Sequence, residues 1–487
     1  MHGSDGTNAG ATQSGTRGVR RRRALRYVGG ALAATLGTAG CVQQADDGGS
    51  TVTDAGDDGE TETEADSGDD TATDTGGTEA VTMGVLVPTS GPSAPLGQAQ
   101  RRGAELGVQY VNDSDEFDFT IDPVIADTQT DPSTGLQRAQ SVVEDDGADY
   151  VLGALESSVA LAVADYVSDR DVVYTSGAAT IELTGENCNA NTFRTETNAA
   201  QQMAGLVDFV ASDLGSNLWI HTTDDTYGNS AVTQIERRIG AQGFDIDVVG
   251  RTMPDKGTTN YGPQISTISN SEADVLALPD TGADLINFVK QASSAGLTDE
   301  IDVVGTAIFA QVSRQALGAD AVGAYSSTLY NHALETGANP DFVEAYADEH
   351  GGIPGSFARV GYDTVRMTAR GIQAAGPADP VEGRTALEGP DVTTALGTTP
   401  VRGCDHSAGQ PVWTGRGVGG AGRDPPGGHR PTSSRPPTRG AVGGAGCAGG
   451  PLAEASPRRP ARGTGRISAR RRSARSSRAS ATASTNA

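Results

Sequence analysis

From residue 81 onward the chain alternates two hydrophobic patterns. Val81–Pro88 (VTMGVLVP) is a continuous apolar run of the kind that forms a buried strand, whereas Leu96–Val111 places apolar residues three and four apart, as a helix does. Further strands are predicted at Phe119–Ala126, Tyr150–Leu152 and Val172–Tyr174, with helices near Ser133–Asp145 and Ser157–Asp169 between them. After Arg194 the pattern predicts helix Ala199–Leu214, strand Leu218–Thr222, helix Asn229–Gln242 and strand Ile246–Thr252. Helix Asn260–Ser269, strand Val275–Leu278, helix Gly282–Ser294 and strand Val303–Val304 follow. Strand–helix alternation argues for parallel sheets with right-handed crossovers. Roughly 330 residues of it exceed one comfortable domain, so the expected fold class is α/β with two doubly wound parallel-sheet lobes.

Charge divides the rest of the 487 residues. The formal net charge is -26, yet residues 1–41 carry six Arg and one Asp (+5), residues 416–487 carry fourteen Arg against Asp424 and Glu454 (+12), and residues 42–415 hold about -43. So acidic a middle repels nucleic acid and anionic membranes, which argues against a nucleic-acid binder. It suits molar salt, where the Debye length falls to about 3 Å and self-repulsion is screened; the pattern points to an extremely halophilic source. Lys256 and Lys290 are the only lysines. The four Cys, at 41, 188, 404 and 447, have no zinc spacing, and the six His form no cluster. Nothing in the sequence calls for a metal or cofactor, and no apolar run reaches the ~18 residues of a membrane helix.

The two ends differ from the body. Arg20–Arg23, then Ala24-Leu25-Arg26 and a Gly/Ala-rich stretch to Ala39, has the layout of a signal peptide and resembles a twin-arginine export signal. Thr38-Ala39-Gly40-Cys41 resembles a lipobox with Thr where Leu is usual, making Cys41 the candidate lipid-anchor residue. Residues 42–80 hold thirteen acidic residues, eight Thr and no basic residue, the composition of an extended acidic tether. Beyond Gly415 the text turns Arg/Gly/Pro/Ala/Ser-rich and reverses sign. Residues 416–487 therefore read as an out-of-frame, disordered basic tail, with a genuine basic tail as the alternative.

Several stretches carry a resemblance. Gly84-Val85-Leu86-Val87-Pro88-Thr89-Ser90-Gly91-Pro92, Ser157-Ser158-Val159-Ala160-Leu161-Ala162, Thr175-Ser176-Gly177-Ala178-Ala179-Thr180, Phe193-Arg194-Thr195, Asp224-Asp225-Thr226-Tyr227-Gly228 and Val360-Gly361-Tyr362-Asp363 occur in one order. As a set, from Val81 to about Gly415, they resemble the branched-chain amino-acid-binding proteins. That resemblance implies a type I periplasmic-binding fold: two lobes, three crossovers, a ligand in the cleft, and delivery to an ABC permease in the membrane. It places lobe 1 at about 81–194 plus 332–410 and lobe 2 at 195–331, with a closing segment from about 411. The closing strand should follow Trp413, where the text turns foreign, so a frameshifted product would lack it.

Ser157 and Ser158 open a predicted helix directly after a strand. Unpaired N–H groups and partial positive charge make such a helix start a carboxylate site or a simple N-cap. The resemblance gives Ser158 a ligand carboxylate, Ala178 a carbonyl and Thr180 a hydroxyl toward the ligand, and Tyr227 a closing role. Their alternatives are a turn at Ala178–Thr180 and a half-buried core aromatic at Tyr227. Leu96 replaces an aromatic that often lines the first-lobe pocket. Gly305-Thr306-Ala307-Ile308 lacks the acid some relatives place near the ligand ammonium; Asp280, after a lobe-2 strand, either compensates or is a solvated helix-entry residue. Cys188 and Cys404 precede the first and third crossovers, and in an oxidising space they are expected to form a disulfide.

The resulting expectation is a monomeric, membrane-tethered solute-binding lipoprotein on the outer face of the cell membrane. Its ligand is a branched-chain amino acid or a similar one, with an amide or urea as the alternative. A sensory receptor using the same cleft remains open. A secreted hydrolase would need a Gly-x-Ser-x-Gly elbow, a metal cluster or a phosphate loop, and none is present.

Overall fold

The computed structural model describes residues 79–376, 379–388 and 391–416. The signal-like segment with Cys41, the acidic segment up to residue 78 and the basic tail beyond Arg416 lie outside the described residues. Lobe 1 opens with β1 (Glu79–Val87), α1 (Ala94–Asp113), β2 (Phe119–Asp127), α2 (Pro132–Glu144), β3 (Tyr150–Gly153), α3 (Ser157–Val167), β4 (Val173–Ser176) and β5 (Thr192–Arg194). Its sheet has the order β2-β1-β3-β4-β5, parallel throughout. Strands buried on both faces read as unbroken apolar runs, and β1 shows it: Val85, Leu86 and Val87 are fully buried.

Lobe 2 follows with α4 (Ala199–Asp213), β6 (Asn217–His221), α5 (Thr226–Gln242), β7 (Asp247–Thr252), α6 (Gly262–Ser269), β8 (Val275–Leu278), α7 (Gly282–Ser294), α8 (Leu297–Glu300), β9 (Asp302–Gly305), α9 (Gln311–Leu317) and β10 (Tyr325–Thr328). The chain then returns to lobe 1 with α10 (Asn339–His350), α11 (Ser356–Ala375), α12 (Pro380–Leu387) and the hairpin β11 (Asp391–Thr394) and β12 (Gly397–Pro400), before β13 (Trp413–Arg416). The second sheet runs β13-β10-β9-β8-β6-β7. All its pairs are parallel except β13, which joins β10 antiparallel through Tyr325↔Arg416 to Thr328↔Trp413. A short closing strand is thus present, and its four residues cover the edge of β10.

Local chemistry sets several helix starts. Asp131 accepts the Thr134 N–H ahead of Pro132, Asn198 and Gln201 form a reciprocal capping box, and Asp225 accepts the Gly228 N–H. Each such cap is worth about 1 kcal/mol. The long helices α1 and α11 touch through glycine: a Cβ on Gly103 would stand 1.7 Å from the Ala358 carbonyl oxygen, and one on Gly361 2.1 Å from that of Gln100. This backbone contact carries Gln100 and the start of α11 to the region between the lobes.

The crossovers are tied together at their base. Arg194 donates its N–H to the His406 carbonyl and accepts from the Ala408 N–H, both at 2.8 Å, while Phe193 and His406 stack with ring centres 4.4 Å apart. The disulfide expected here is absent. Cys188 and Cys404 are both thiols; Cys188 lies exposed on the turn ahead of β5, and the Cys404 sulfur sits 4.0 Å from Asp405 Oδ1. Hydrogen bonding and ring stacking hold the two segments instead. Among the described residues, no helix is long and apolar enough to cross a membrane.

Candidate ligand-binding cleft

In a doubly wound sheet the loops at the carboxyl ends of the strands form the crevice, and both sheets here turn that edge toward one cavity of about 130 Å³. Lobe 1 contributes Leu155–Ser158 after β3 and Gly177 and Ala179 after β4. Lobe 2 contributes Asp225–Tyr227 after β6, Lys256 after β7, Thr281 after β8, Thr306 and Ala307 after β9, and Leu329 after β10. Gln100 of α1 and Ser356, Phe357 and Val360 of α11 complete the lobe-1 side. The lobes meet around it: the Ile181 N–H donates to Ser230 Oγ at 3.3 Å, and Gln311 Nε2 donates to the Ile353 carbonyl.

Ser157 and Ser158 lie in the wall, as the first two residues of α3. Ser157 is buried and its Oγ accepts the Thr180 N–H at 3.3 Å, while Ser158 is half-buried. No side chain caps α3, so the N–H groups of its first turn are left for whatever occupies the cavity. Tyr227 is also in the wall, half-buried, with its hydroxyl donating to Gln202 Oε1 at 2.9 Å and 3.2 Å from Thr306 Oγ1. Burial raises the pKa of its phenol, so the hydroxyl stays protonated and the ring is what it offers the cavity.

Four other expected site residues stand outside the wall. Ala178 and Thr180 are buried, and their carbonyls accept from Arg194, Thr180 at 2.6 Å from Nη2. The Thr180 hydroxyl donates to Glu182. Arg194 is fully buried and also donates to Thr184 Oγ1, so a single guanidinium folds the segment whose neighbours Gly177 and Ala179 face the cavity. Leu96 is fully buried and packs across the lobe boundary, its Cδ1 lying 3.7 Å from where a Cβ on Gly282 would stand. Asp280 lies outside the cavity wall and is not solvated: it is 4% exposed, its Oδ1 accepts the Thr281 N–H at 2.7 Å, and burial lifts its pKa well above the usual range. The chain turns at Pro279 and folds Asp280 behind Thr281, the residue that reaches the wall.

The charged residues of the wall were not legible in the sequence. Glu196, just past the first crossover, pairs with Arg359 of α11, and Asp225 Oδ2 accepts from Lys256 Nζ at 3.0 Å. Burial works against the charge on Lys256, but Asp225 and Glu156 outweigh it and raise the pKa. Glu156, the residue before α3, is 5% exposed, and neither carboxylate oxygen meets a donor in hydrogen-bond geometry. Its burial raises its pKa, with Ser93 and Lys256 pulling the other way. Among the described residues, no group of His, Cys, Asp or Glu is arranged to hold a metal ion.

Two lobes, three crossovers and an interlobe cavity agree with the comparison with known proteins, for residues 80–422 match the periplasmic binding protein family. The chain belongs to the periplasmic binding protein family. A "Leu/Ile/Val-binding protein homolog 3" of Brucella melitensis is 24% identical over 327 residues, 65% of this chain and 86% of that protein. The "Leucine-, isoleucine-, valine-, threonine-, and alanine-binding protein" of Pseudomonas aeruginosa is 24% identical over 325 residues, 66% of this chain and 85% of that protein. Among solved structures, the branched-chain amino acid transporter substrate-binding protein LivJ of Streptococcus pneumoniae, in complex with isoleucine, superposes with a TM-score of 0.64 at 19% identity. That match covers 70% of this chain and 97% of LivJ. A solute-binding protein of an ABC transporter from R. palustris, in complex with benzoate, gives 0.65 at 22% identity, over 70% and 94% of the two chains. The fold of this periplasmic binding protein is therefore type I, α/β with two sheet lobes.

Proposed function

We propose that this periplasmic binding protein captures a small amino acid, branched-chain or similar, between its lobes and delivers it to an ABC permease. The observation that carries the reading is the cavity itself, a partly open, largely apolar space at the carboxyl edges of both sheets with polar groups on its walls and an uncapped helix start at Ser157 and Ser158 on one of them. A cavity of roughly 150 Å³ holds one benzene ring, so 130 Å³ is room for a single small solute. The first turn of α3 supplies N–H groups and partial positive charge for a carboxylate. Phe357, Leu329, Val360 and Ala307 give an apolar corner for a side chain. Because the wall is drawn from both lobes, a ligand favours the closed arrangement by contacts the open one lacks. The names of the curated relatives support the same ligand class. Cys41 is proposed as the lipid-anchor residue that keeps the protein at the outer face of the membrane, working as a monomer.

The test is thermal unfolding of the full chain in ~3 M KCl, where the acidic surface is screened, against a panel of amino acids, amides, urea and aromatic acids. A specific ligand at 100 times its Kd adds about 2.7 kcal/mol of stability. The expected result is a rise of several degrees with one group of aliphatic amino acids and none with amides or urea. A folded protein that no amino acid stabilises would withdraw this ligand class.

A further inference from the structure

Solute-binding proteins of this fold take chemically different carboxylates: one neighbour is a complex with isoleucine and another a complex with benzoate. Both ligands carry a carboxylate, and only the first carries an ammonium. What separates them in a given cleft is the charge left over once the protein's own pairs are counted. Four charged side chains line this cavity: Glu156, Glu196, Asp225 and Lys256. Glu196 is matched, with Oε2 on Arg359 and Oε1 accepting the Thr197 N–H at 2.7 Å. Asp225 is matched too, one oxygen on the Gly228 N–H at 2.8 Å and the other on Lys256 at 3.0 Å. Glu156 is not: it is buried, neither oxygen has a partner in good hydrogen-bond geometry, the Ser93 hydroxyl and the charge of Lys256 are the only side-chain groups that favour its ionised form, and Lys256 donates to Asp225.

A buried carboxylate without donors is costly, and a cation that supplies N–H groups relieves both the charge and the missing hydrogen bonds. Glu156 immediately precedes the helix turn whose N–H groups suit a carboxylate. An α-amino acid carries its carboxylate and ammonium on one carbon, so a single short stretch of chain, Glu156–Ser158, meets both. A plain carboxylic acid satisfies only the helix start and adds a second negative charge beside Glu156.

Resting on the amino-acid reading above, we propose that Glu156 is the charge filter of the cleft, accepting the ligand's ammonium and turning away acids that lack one. The raised pKa of Glu156 accords with a carboxyl group still waiting for its cation. The experiment titrates the full chain, wild type and Glu156→Gln, with L-leucine and L-alanine, with their deaminated counterparts 4-methylpentanoate and propanoate, and with benzoate. Wild type is expected to bind at least one amino acid at least 100-fold more tightly than its counterpart. Glu156→Gln is expected to weaken the amino acid by about 10- to 100-fold, the range for a hydrogen bond to a charged group, while the acids bind as well as before or better. Without ligand, the variant should melt no lower than wild type, because a buried unmatched charge has been removed. A variant that binds the amino acid as wild type does, or loses amino acid and acid by the same factor, overturns the filter. Wild-type protein that takes benzoate or 4-methylpentanoate as tightly as leucine overturns the filter and leaves solute binding standing. One that answers no probe overturns both.

Discussion

Arg359→Met is expected to lower stability by about 3–5 kcal/mol, the usual consequence of removing one partner from a buried ion pair. Arg359 has no exposed surface; its Nη2 meets Glu196 Oε2, and its Nη1 lies 3.7 Å from Asp363 Oδ2. Methionine matches the length of the stem but leaves two carboxylates facing each other in the core. Asp363 is already under strain from burial, which outweighs Arg359 and pushes its pKa up to about 6. In a body of this size the loss is read as a fall in melting temperature of about 4–7 °C. Adding Glu196→Gln and Asp363→Asn to Arg359→Met should restore most of it, because the uncompensated charges are then gone while the amide oxygens still accept the Thr197 and Ala395 N–H groups. A loss below about 1 kcal/mol for the single variant would show that the cluster does not hold α11 to the first crossover.

The second large effect is expected at Arg194. Its guanidinium donates to two backbone carbonyls and a hydroxyl, and leaving buried acceptors unsatisfied costs about 1–3 kcal/mol each. Burial pushes its pKa down to about 10, against the pull of Asp405 and Glu182, so it remains charged at neutral pH. Arg194→Met is therefore expected to destabilise by about 3 kcal/mol or more in equilibrium unfolding. It should also weaken ligand binding, since the Ser176–Thr184 segment that Arg194 braces carries Gly177 and Ala179 in the wall. Arg194→Lys keeps the charge but offers a point donor for a fork, and should fall between the two. Arg194→Met that unfolds as wild type does would contradict the bracing role.

These two arginines mark the boundary of what the sequence made legible. Most strands and helices from Val81 to Val304, though not β5 or α8, followed from apolar runs and helical spacing, because central strands are buried on both faces and most helices there on one. The pattern failed where buried surface is polar. The strand β10 reads Tyr-Ser-Ser-Thr, and its Ser326 and Ser327 are buried yet hydrogen-bonded, so no apolar run announces it. Helix α11 keeps a strongly one-sided apolar pattern while also burying Arg359, Asp363, Thr364 and Thr368, and only its Val360–Asp363 stretch stands out in the sequence, as a motif. Ser157, Ser158 and Tyr227, which resemblance and strand-to-helix position single out together, line the cavity. Ala178 and Thr180, expected to offer a carbonyl and a hydroxyl, lie behind the wall, and nothing in a linear text tells that an arginine sixteen or fourteen residues away takes their carbonyls. Glu156 was passed over because an acid before two serines looks like an ordinary helix entry; the only available signal was its position after a buried strand, with two candidate carboxylate contacts beside it.

One amino acid is expected to sit between the lobes on the helix start at Ser158. Calorimetric titration of the full chain in ~3 M KCl, using the amino acid that gives the largest thermal shift, tests it most directly. The account predicts one site per chain and an affinity about 10-fold weaker in Ser158→Ala, the effect of about one hydrogen bond to a charged group, with the melting temperature of the unliganded variant nearly unchanged. Binding that Ser158→Ala leaves untouched, or more than one equivalent site per chain, would place the ligand elsewhere and contradict it.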